Sequence, residues 1–243
     1  MSDPVFLVDA VPGPGAGGFT LDGPEGHHAA DVQRLQPGET LLLSDGAGTV
    51  ASARVTHAER GLLRLEILDR RTLPAPDPKL TVVQALPKGD RGERAVQMLT
   101  EIGVDEVIPW AASRSIVQWK GPRGDKARAK WEATAREASK QARRAHLARV
   151  AELHTTKQLV QRLREAAQVV VLHEEATLPL SQIEPAASGE IALVIGPEGS
   201  ISPDELAALA EFGEPVRLGD TVLRTSTAGP AALAVLQARL GRW

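Results

Sequence analysis

The stretch IALVIGPEGSISPDELAALAEFG, residues 191–213, decides the fold of the longer part of this chain. It opens with a short, wholly apolar run, which is typical of a strand buried on both faces of a parallel sheet. Ser202, Pro203 and Glu205 then give the N-cap, N1 and N3 pattern of a capped helix, which Gly213 is expected to end at C′. The stretch therefore predicts a loop at the carboxyl end of a strand, where open α/β sheets bind ligands.

The segments on either side also contain short apolar strands and amphipathic helices. TVVQALP and QVVVLH are further apolar runs, DEVIPW is another strand, and RGERAVQMLTEIG has apolar residues at helical spacing. The last segment, VRLGDTVLRTSTAGPAALAVLQARL, reads as a short strand reaching Leu218 and Gly219, a loop with Arg224, and an Ala/Leu-rich helix. Thr225, Ser226 and Thr227 open that helix, and ordinary capping accounts for such hydroxyls. Residues 80–243 are therefore predicted to form an α/β domain that binds a small ligand at two glycine-rich loops.

The first part of the chain is built differently. Residues 1–72 contain short strands with Gly/Pro turns, such as VFLVDAV and the hairpin LLLSDGAGTVASARV, with one helix at about residues 28–35. LLRLEIL alternates, which places Leu63, Leu65 and Ile67 on one face. This pattern favours a small β-barrel. LPAPDPK, residues 73–79, has three prolines and is predicted to be a linker.

Composition excludes several classes of protein. The chain has 243 residues, 42% of them apolar, a formal net charge of −3 and no cysteine, so disulfides and thiolate chemistry are excluded. The start, MSDPVFLVDA, lacks a basic, apolar signal-like pattern, and no apolar run approaches the roughly 20 residues that span a bilayer. These features predict a cytoplasmic protein.

Some short motifs match the letters of known binding sites but lie in a sequence context that does not support that function. Gly13, Gly15 and Gly18 spell GxGxxG, but FTLDGP follows instead of a helix, so a flexible loop is expected. The first GPEG, residues 23–26, is interpreted as a turn before the helix that carries His27 and His28. Adjacent histidines on a helix point about 100° apart, so no metal site is predicted. The second GPEG, residues 196–199, lacks the P-loop lysine, but its glycines allow close approach of a ligand to the backbone.

A basic helix is predicted at about residues 125–146. It has seven basic and three acidic residues. Charge alone leaves two interpretations open, a solvated helix face and a surface that contacts phosphates. The basic residues are Lys126, Arg128, Lys130, Arg136, Lys140, Arg143 and Arg144.

The pair VIGPEGSISPDE and LGDTVLRTSTA resembles motifs of the bacterial 16S rRNA (uracil-N3)-methyltransferases of the SPOUT superfamily. LPKGDRGERAVQMLTEIGVDEVIPWAASRS and HHAADVQRLQPGE resemble two further segments of that family, in the expected order. The resemblance implies an α/β SPOUT methyltransferase domain with a C-terminal trefoil knot, preceded by a small PUA-like β-barrel that helps to hold RNA. It also implies a homodimer, with the apolar final helix in the interface.

The resemblance implies that S-adenosylmethionine is the cofactor, bent among three loops and held largely by backbone groups. The cofactor-binding residues would be Leu172, His173, Glu174, Gly196, Pro197, Glu198, Gly199, Leu218, Gly219, Leu223, Arg224, Thr225 and Ser226.

The implied reaction is methylation of N3 of a uridine, position 1498 by family analogy, in 16S rRNA of the small ribosomal subunit. Loss of the N3 proton places negative charge on the base, which fixed cations stabilise. Arg224 is the leading catalytic candidate, before Lys88 and Arg91; its alternative role is a tie between the knot and the partner subunit. No general base is evident. The implied RNA contacts are Arg34, Lys88, Arg91, Arg114, Lys140, Arg143 and Arg144.

One position departs from the family pattern. Relatives often have Arg-Thr-Glu-Thr-Ala where this chain has Ser226 in place of the glutamate. A serine can hydrogen-bond but cannot supply a carboxylate, so we hypothesise that this carboxylate is dispensable for chemistry. Two other functions stay open at this point: SPOUT methylation of different specificity, such as ribose 2′-O-methylation, and RNA binding without catalysis.

Overall fold

The computed structural model of the protein describes residues 3–15 and 18–243. Contacts divide the chain into two units. The first comprises Met1–Ala75 together with Ser139–Leu147, and the second comprises Pro76–Ala138 and Ala148–Trp243. Each unit has its own sheet.

The first unit is built on a five-stranded sheet of order β1-β3-β4-β5-β2. The β1 and β3 strands are parallel, and the other neighbours are antiparallel. Leu63, Leu65 and Ile67 are buried in its core with Phe6, which confirms the predicted alternation. The strands are β1 (Val5–Leu7), β2 (Phe19–Leu21), β3 (Thr40–Ser44), β4 (Thr49–Glu59) and β5 (Leu62–Thr72).

The glycine-rich loop before β2 was predicted from Gly13, Gly15 and Gly18. Ala16 and Gly17 of this loop lie outside the described residues. The chain runs from Gly18 directly into β2, so a strand stands where a dinucleotide fingerprint needs a helix N-terminus.

The helix of the first unit begins earlier than predicted. Helix α1 (Gly23–His27) contains the first GPEG and continues as a π-helical turn, His28–Val32. Pro24 occupies the first turn, where a missing N–H costs nothing. The interpretation of this GPEG as a turn before the helix is therefore wrong, because the tetrapeptide is itself the first turn.

Packing explains the second glycine of this copy. A Cβ atom at Gly26 would lie 2.6 Å from the carbonyl oxygens of Leu21 and Gly61. These backbone atoms cannot move away as a flexible side chain can. A glycine at position 26 therefore allows α1 to pack closely against the backbone of Leu21 and Gly61.

The second unit has a parallel eight-stranded sheet of order β11-β13-β10-β12-β6-β7-β8, and β9 also pairs with β7. The predicted parallel sheet is confirmed, with β10 and β12 side by side. The strands are β6 (Lys79–Ala85), β7 (Glu106–Ala111), β8 (Arg149–Val150), β9 (His154–Thr155), β10 (Gln168–Leu172), β11 (Leu178–Pro179), β12 (Glu190–Ile195) and β13 (Pro215–Arg217).

Helices cover both faces of this sheet. They are α2 (Arg91–Ile102), α3 (Gly121–Gln141), α4 (Thr156–Leu163), α5 (Pro203–Ala210) and α6 (Thr225–Arg239), with a 3₁₀ turn at Leu180–Gln182. Leu99 of α2 and Leu233 of α6 belong to one core cluster, whereas Leu159 of α4 and Leu209 of α5 belong to the other. Burial on both faces is why the central strands are almost wholly apolar.

Helix α3 differs in extent from the predicted basic helix. It starts at Gly121 and ends at Gln141, so Arg143 and Arg144 follow it. Arg143 has a left-handed backbone, with φ of 52°, which breaks the helical path. Part of the positive charge is also paired: Lys130 contacts Glu93 at 2.8 Å.

The prediction that Gly213 ends helix α5 at C′ is wrong. Helix α5 ends at Ala210, Glu211 keeps right-handed dihedrals as the C-cap, and Gly213 is not among the residues with positive φ. A Cβ atom at Gly213 would instead lie 1.9 Å from the carbonyl oxygen of Val169 on β10. Glycine is needed there for close approach to the sheet rather than for a left-handed cap.

We expect Gly213→Ala to destabilise the second unit by about 3 kcal/mol, because the clash is with backbone and forces α5 or β10 to shift. Urea unfolding followed by circular dichroism measures this. Gly219→Ala is the matched control, since a Cβ atom there meets nothing within 4 Å. Equal loss of stability in both variants would contradict the explanation.

Candidate cofactor and RNA site

The second unit contains a cleft of about 470 Å³ at the carboxyl ends of its parallel strands. Three loops form its wall, one after each of β10, β12 and β13, and the start of α6 closes it. Neighbouring parallel strands end at one edge of a sheet, so loops distant in sequence meet there. The structure thus brings together the three loops that the sequence suggested.

Most of the predicted cofactor residues line this cleft. Gly199 and Ser226 are the exceptions. Gly199 packs instead against Arg114, whose Nη1 donates a hydrogen bond to the Gly199 carbonyl oxygen at 3.2 Å. Ser226 is buried in the first turn of α6. The predicted residues that line the cleft are Leu172, His173, Glu174, Gly196, Pro197, Glu198, Leu218, Gly219, Leu223, Arg224 and Thr225.

Sequence reasoning missed several lining residues. They come from the ends of β12 and β13, from the loop after β12, from the middle of the loop after β13 and from the first turn of α6, so including each loop as a continuous segment would have found several of them. Arg217 is one, and its Nη1 contacts the Asp220 carboxylate at 3.0 Å. The missed residues are Ile195, Ser200, Ile201, Val216, Arg217, Asp220, Thr221, Val222 and Ala228.

Thr225 fixes the central loop. Its buried hydroxyl donates to the Gly196 carbonyl oxygen at 2.8 Å and accepts from Gln84 Nε2 at 3.0 Å. Arg224 is the N-cap residue of α6, and its side chain makes no capping hydrogen bond. The Thr225 hydroxyl therefore joins α6 to the loop and to β6, which is a different role from helix capping.

Glu198 ties two neighbouring loops. Its Oε1 accepts from the Lys88 backbone N–H at 3.1 Å and from Arg91 Nη1 at 3.0 Å. Burial by itself raises the pKa of this carboxyl, but the hydrogen bonds from the Lys88 backbone and from Arg91 outweigh it, and the pKa is lowered. Glu198 is therefore ionised at neutral pH and neutralises Arg91.

Of the three cations predicted to stabilise the base, Arg224 and Lys88 have no charged partner among the residues that the structure describes. Arg224 lines the cleft, and its exposed side chain forms no ion pair with a residue that the structure describes. The Lys88 side chain is exposed, and its ammonium likewise has no ion-pair partner in the ranges 3–15 and 18–243. Arg224 is thus the better placed of the two to act on a group inside the cleft.

The predicted RNA contacts are unequal in exposure. Arg34, Lys88, Arg114 and Arg143 are exposed, and Arg91 and Arg144 are partly exposed. Lys140 is 8% exposed, and its ammonium contacts both oxygens of Glu25 at 2.9 and 3.0 Å. The prediction that Lys140 contacts RNA is therefore contradicted, because its charge is used inside the first unit.

Two other observations concern the described parts of the chain. Across residues 3–15 and 18–243, His, Asp and Glu side chains form no group of three or more that could hold a metal ion. No helix in those ranges is long and apolar enough to cross a membrane.

Comparison with known proteins adds to this geometry. Residues 74–237 match the RNA methyltransferase domain, and residues 21–68 match the RNA methyltransferase PUA domain. Fold, cleft and matches together define an RNA methyltransferase with an N-terminal PUA domain.

The chain is 48% identical to the ribosomal RNA small subunit methyltransferase E of Mycobacterium bovis, over 98% of this chain and 93% of that protein. It is 30% identical to the protein of that name from Bacillus subtilis, over 90% and 89% of the two chains. The chain therefore belongs to the ribosomal RNA small subunit methyltransferase E family.

Solved structures agree with this assignment. A ribosomal RNA small subunit methyltransferase E from Neisseria gonorrhoeae, bound to S-adenosyl methionine, superposes with a TM-score of 0.84 at 28% identity, covering 98% of each chain. A putative methyltransferase from Legionella pneumophila, in complex with the same cofactor, gives 0.82 at 27% identity, again over 98% of each chain. The predicted fold class, an α/β SPOUT domain preceded by a PUA-like domain, is confirmed. The threading of the knot stays a prediction.

Proposed function

We propose that this chain transfers a methyl group from S-adenosylmethionine to N3 of a uridine in 16S rRNA of the small ribosomal subunit, at position 1498 by family analogy. The observation that carries the proposal is the cleft at the ends of β10, β12 and β13, which is lined by Arg224, a cation with no ion-pair partner in the part of the chain that the structure describes. Membership of the family supplies the substrate class.

The residues of the cleft fit the cofactor. Its volume of about 470 Å³ lies in the ordinary range for small-molecule sites. Apolar side chains such as Leu172, Ile195 and Leu218 suit a flat adenine ring, and the exposed carboxylate of Glu174 suits an ammonium group. Burial alone raises the pKa of Glu174, but hydrogen bonds from its own backbone and from Ser200 lower it overall. When bound, S-adenosylmethionine supplies an electrophilic methyl group.

Arg224 would stabilise the base. Uracil N3 carries a proton in its neutral form, so methylation places negative charge on the ring before or during transfer. A fixed cation in a partly dry cleft lowers the energy of that charge more than water does. Lys88 would add a second cation at the mouth of the site, whereas the charge of Arg91 is already neutralised by Glu198.

We further propose that the PUA-like domain, residues 1–72, holds RNA and is joined by a linker, residues 73–79, to the SPOUT domain, residues 80–243. Two of these bounds differ from the observed fold, because Lys79 is already the first residue of β6 and Ser139–Leu147 belong to the first unit. Phosphate contacts by exposed arginines such as Arg34 and Arg143 would supply affinity without sequence specificity. A trefoil knot through the three cleft loops, and a cytoplasmic location with access to ribosomes, complete this proposal.

A homodimer is part of the same proposal. Helix α6 is apolar around most of its circumference, and its partly buried residues Ala234 and Val235 would extend that surface into an interface. Ser226 lies buried on this helix and away from the cleft wall, which supports the hypothesis that the carboxylate common at that position is dispensable for chemistry.

Mass spectrometry of 16S rRNA from a deletion strain tests the proposed function. We expect one uridine to lose one base methyl group and the intact gene to restore it. A methyl group lost from a ribose would instead support 2′-O specificity. Calorimetry with S-adenosylmethionine addresses the remaining alternative, because an RNA-binding module without catalysis would release no heat.

A further inference from the structure

Glu205 has more hydrogen-bond partners than a helix cap needs. As the N3 residue of α5 it completes the predicted capping box with Ser202, whose hydroxyl donates to Glu205 Oε2 at 2.8 Å. An N3 carboxylate of this kind is usually exposed, but Glu205 is 6% exposed. Three donors from outside α5 surround it, so the carboxylate has a second role.

Those donors come from two other elements. Ser113, just beyond β7, donates through its backbone N–H at 2.8 Å and through its hydroxyl at 2.7 Å. Thr156, at the start of α4, donates its hydroxyl at 2.7 Å and in turn accepts from Trp110 Nε1 at 3.1 Å. Burial alone raises the pKa of Glu205, but the bonds from Ser113, Thr156 and Ser202 lower it overall. Glu205 is therefore a buried anion that anchors the turn after β7.

Arg114 is the next residue in that turn. It is exposed, and its Nη1 donates to the carbonyl oxygen of Gly199. The turn lies so close to the cofactor loop that a Cβ atom at Gly199 would meet Arg114 Cβ at 3.3 Å. One bond to a neutral carbonyl leaves the guanidinium charge and its other N–H groups available, and a guanidinium pairs well with a phosphate.

We propose that Glu205 is a positioning residue for RNA: by anchoring Ser113 it holds Arg114 beside Gly199, where the guanidinium binds a backbone phosphate of the strand that carries the target base. The proposal rests on the proposed function, because it assigns a role to Arg114 in the same site. It predicts that Glu205 acts on RNA recognition through Arg114 and leaves the methyl-transfer step unchanged.

A double-mutant cycle tests this with unmethylated small subunits from a deletion strain as substrate. We expect Glu205→Gln to raise KM for subunits about tenfold, since an amide has one acceptor oxygen where the carboxylate has two, and at least one of the two bonds that Ser113 donates is lost. The kcat value and KM for S-adenosylmethionine should stay within twofold. In an Arg114→Ala background, Glu205→Gln should raise KM for subunits less than twofold further, because the residue through which it acts is gone.

Asp204→Asn is the matched control, since Asp204 is an exposed carboxylate one residue earlier on α5. It should leave KM unchanged. If Glu205→Gln does not fold, Ser113→Ala removes one donor to the same carboxylate and enters the same cycle, with an expected threefold rise. Equal increases in both backgrounds would overturn the inference, as would an effect on KM for S-adenosylmethionine alone. An inactive wild-type protein would instead refute the proposed function.

Discussion

Arg224→Gln is expected to lower kcat for methyl transfer by about 100- to 1000-fold, the usual effect of removing one fixed group that stabilises transition-state charge. Arg224 lines the cleft and its guanidinium lacks an ion-pair partner within the described residues, so its charge is available to an anionic uracil ring. Glutamine keeps hydrogen-bonding capacity but removes the charge. Because Arg224 acts on the base, the Kd for S-adenosylmethionine should change less than fivefold.

Single-turnover methyl transfer and calorimetric cofactor binding measure the two quantities separately. Arg217→Gln is the matched control: Arg217 also lines the cleft, but its guanidinium is paired with the Asp220 carboxylate at 3.0 Å. Its kcat should fall by less than tenfold. Sedimentation of Arg224→Gln checks the alternative role, because a residue that ties the knot to a partner subunit would change the oligomeric state. A kcat close to that of the wild type would rule out the catalytic role.

Thr225→Val should lower the free energy of unfolding by about 2 to 4 kcal/mol. Valine has nearly the same shape, so the cost comes from losing the hydroxyl that serves both the Gly196 carbonyl oxygen and Gln84 Nε2. A buried group left without a partner costs about 1 to 3 kcal/mol, and Gln84 Nε2 loses one of its two bonds because it also donates to the Ala85 carbonyl oxygen. Since Gly196 starts the central cofactor loop, we also expect the Kd for S-adenosylmethionine to rise at least tenfold.

Two controls accompany this variant. Thr225→Ser keeps the hydroxyl and should recover most of the affinity, whereas Thr227→Val removes an exposed hydroxyl from the same helix turn and should have little effect. Denaturant unfolding and calorimetry report on both expectations. If the Ser variant bound the cofactor as weakly as the Val variant, the hydroxyl alone would not account for the role of Thr225.

The sequence predicted helices and strands correctly where the residues that specify an element lie within the element itself. The capping box of Ser202 and Glu205 is present, and the apolar runs at β10 and β12 form neighbouring parallel strands. Local patterns failed where a distant segment decides the outcome. Lys140 was predicted to be a surface cation, but it is buried and paired with Glu25. Gly213 was predicted to cap a helix, but glycine is needed there because the Val169 backbone lies close to it.

The two GPEG copies show the same difference between properties set by local sequence and properties set by distant segments. The sequence by itself determined the α/β class, the order of motifs and the approximate place of the cofactor loop, because periodicity, caps and glycines are local signals. The tertiary structure decided what each glutamate does: Glu25 pairs with Lys140, and Glu198 joins two loops through Lys88 and Arg91. It also decided that Glu205 anchors the Arg114 turn. These partners are far apart in sequence, and only the packing of several elements sets which charges meet.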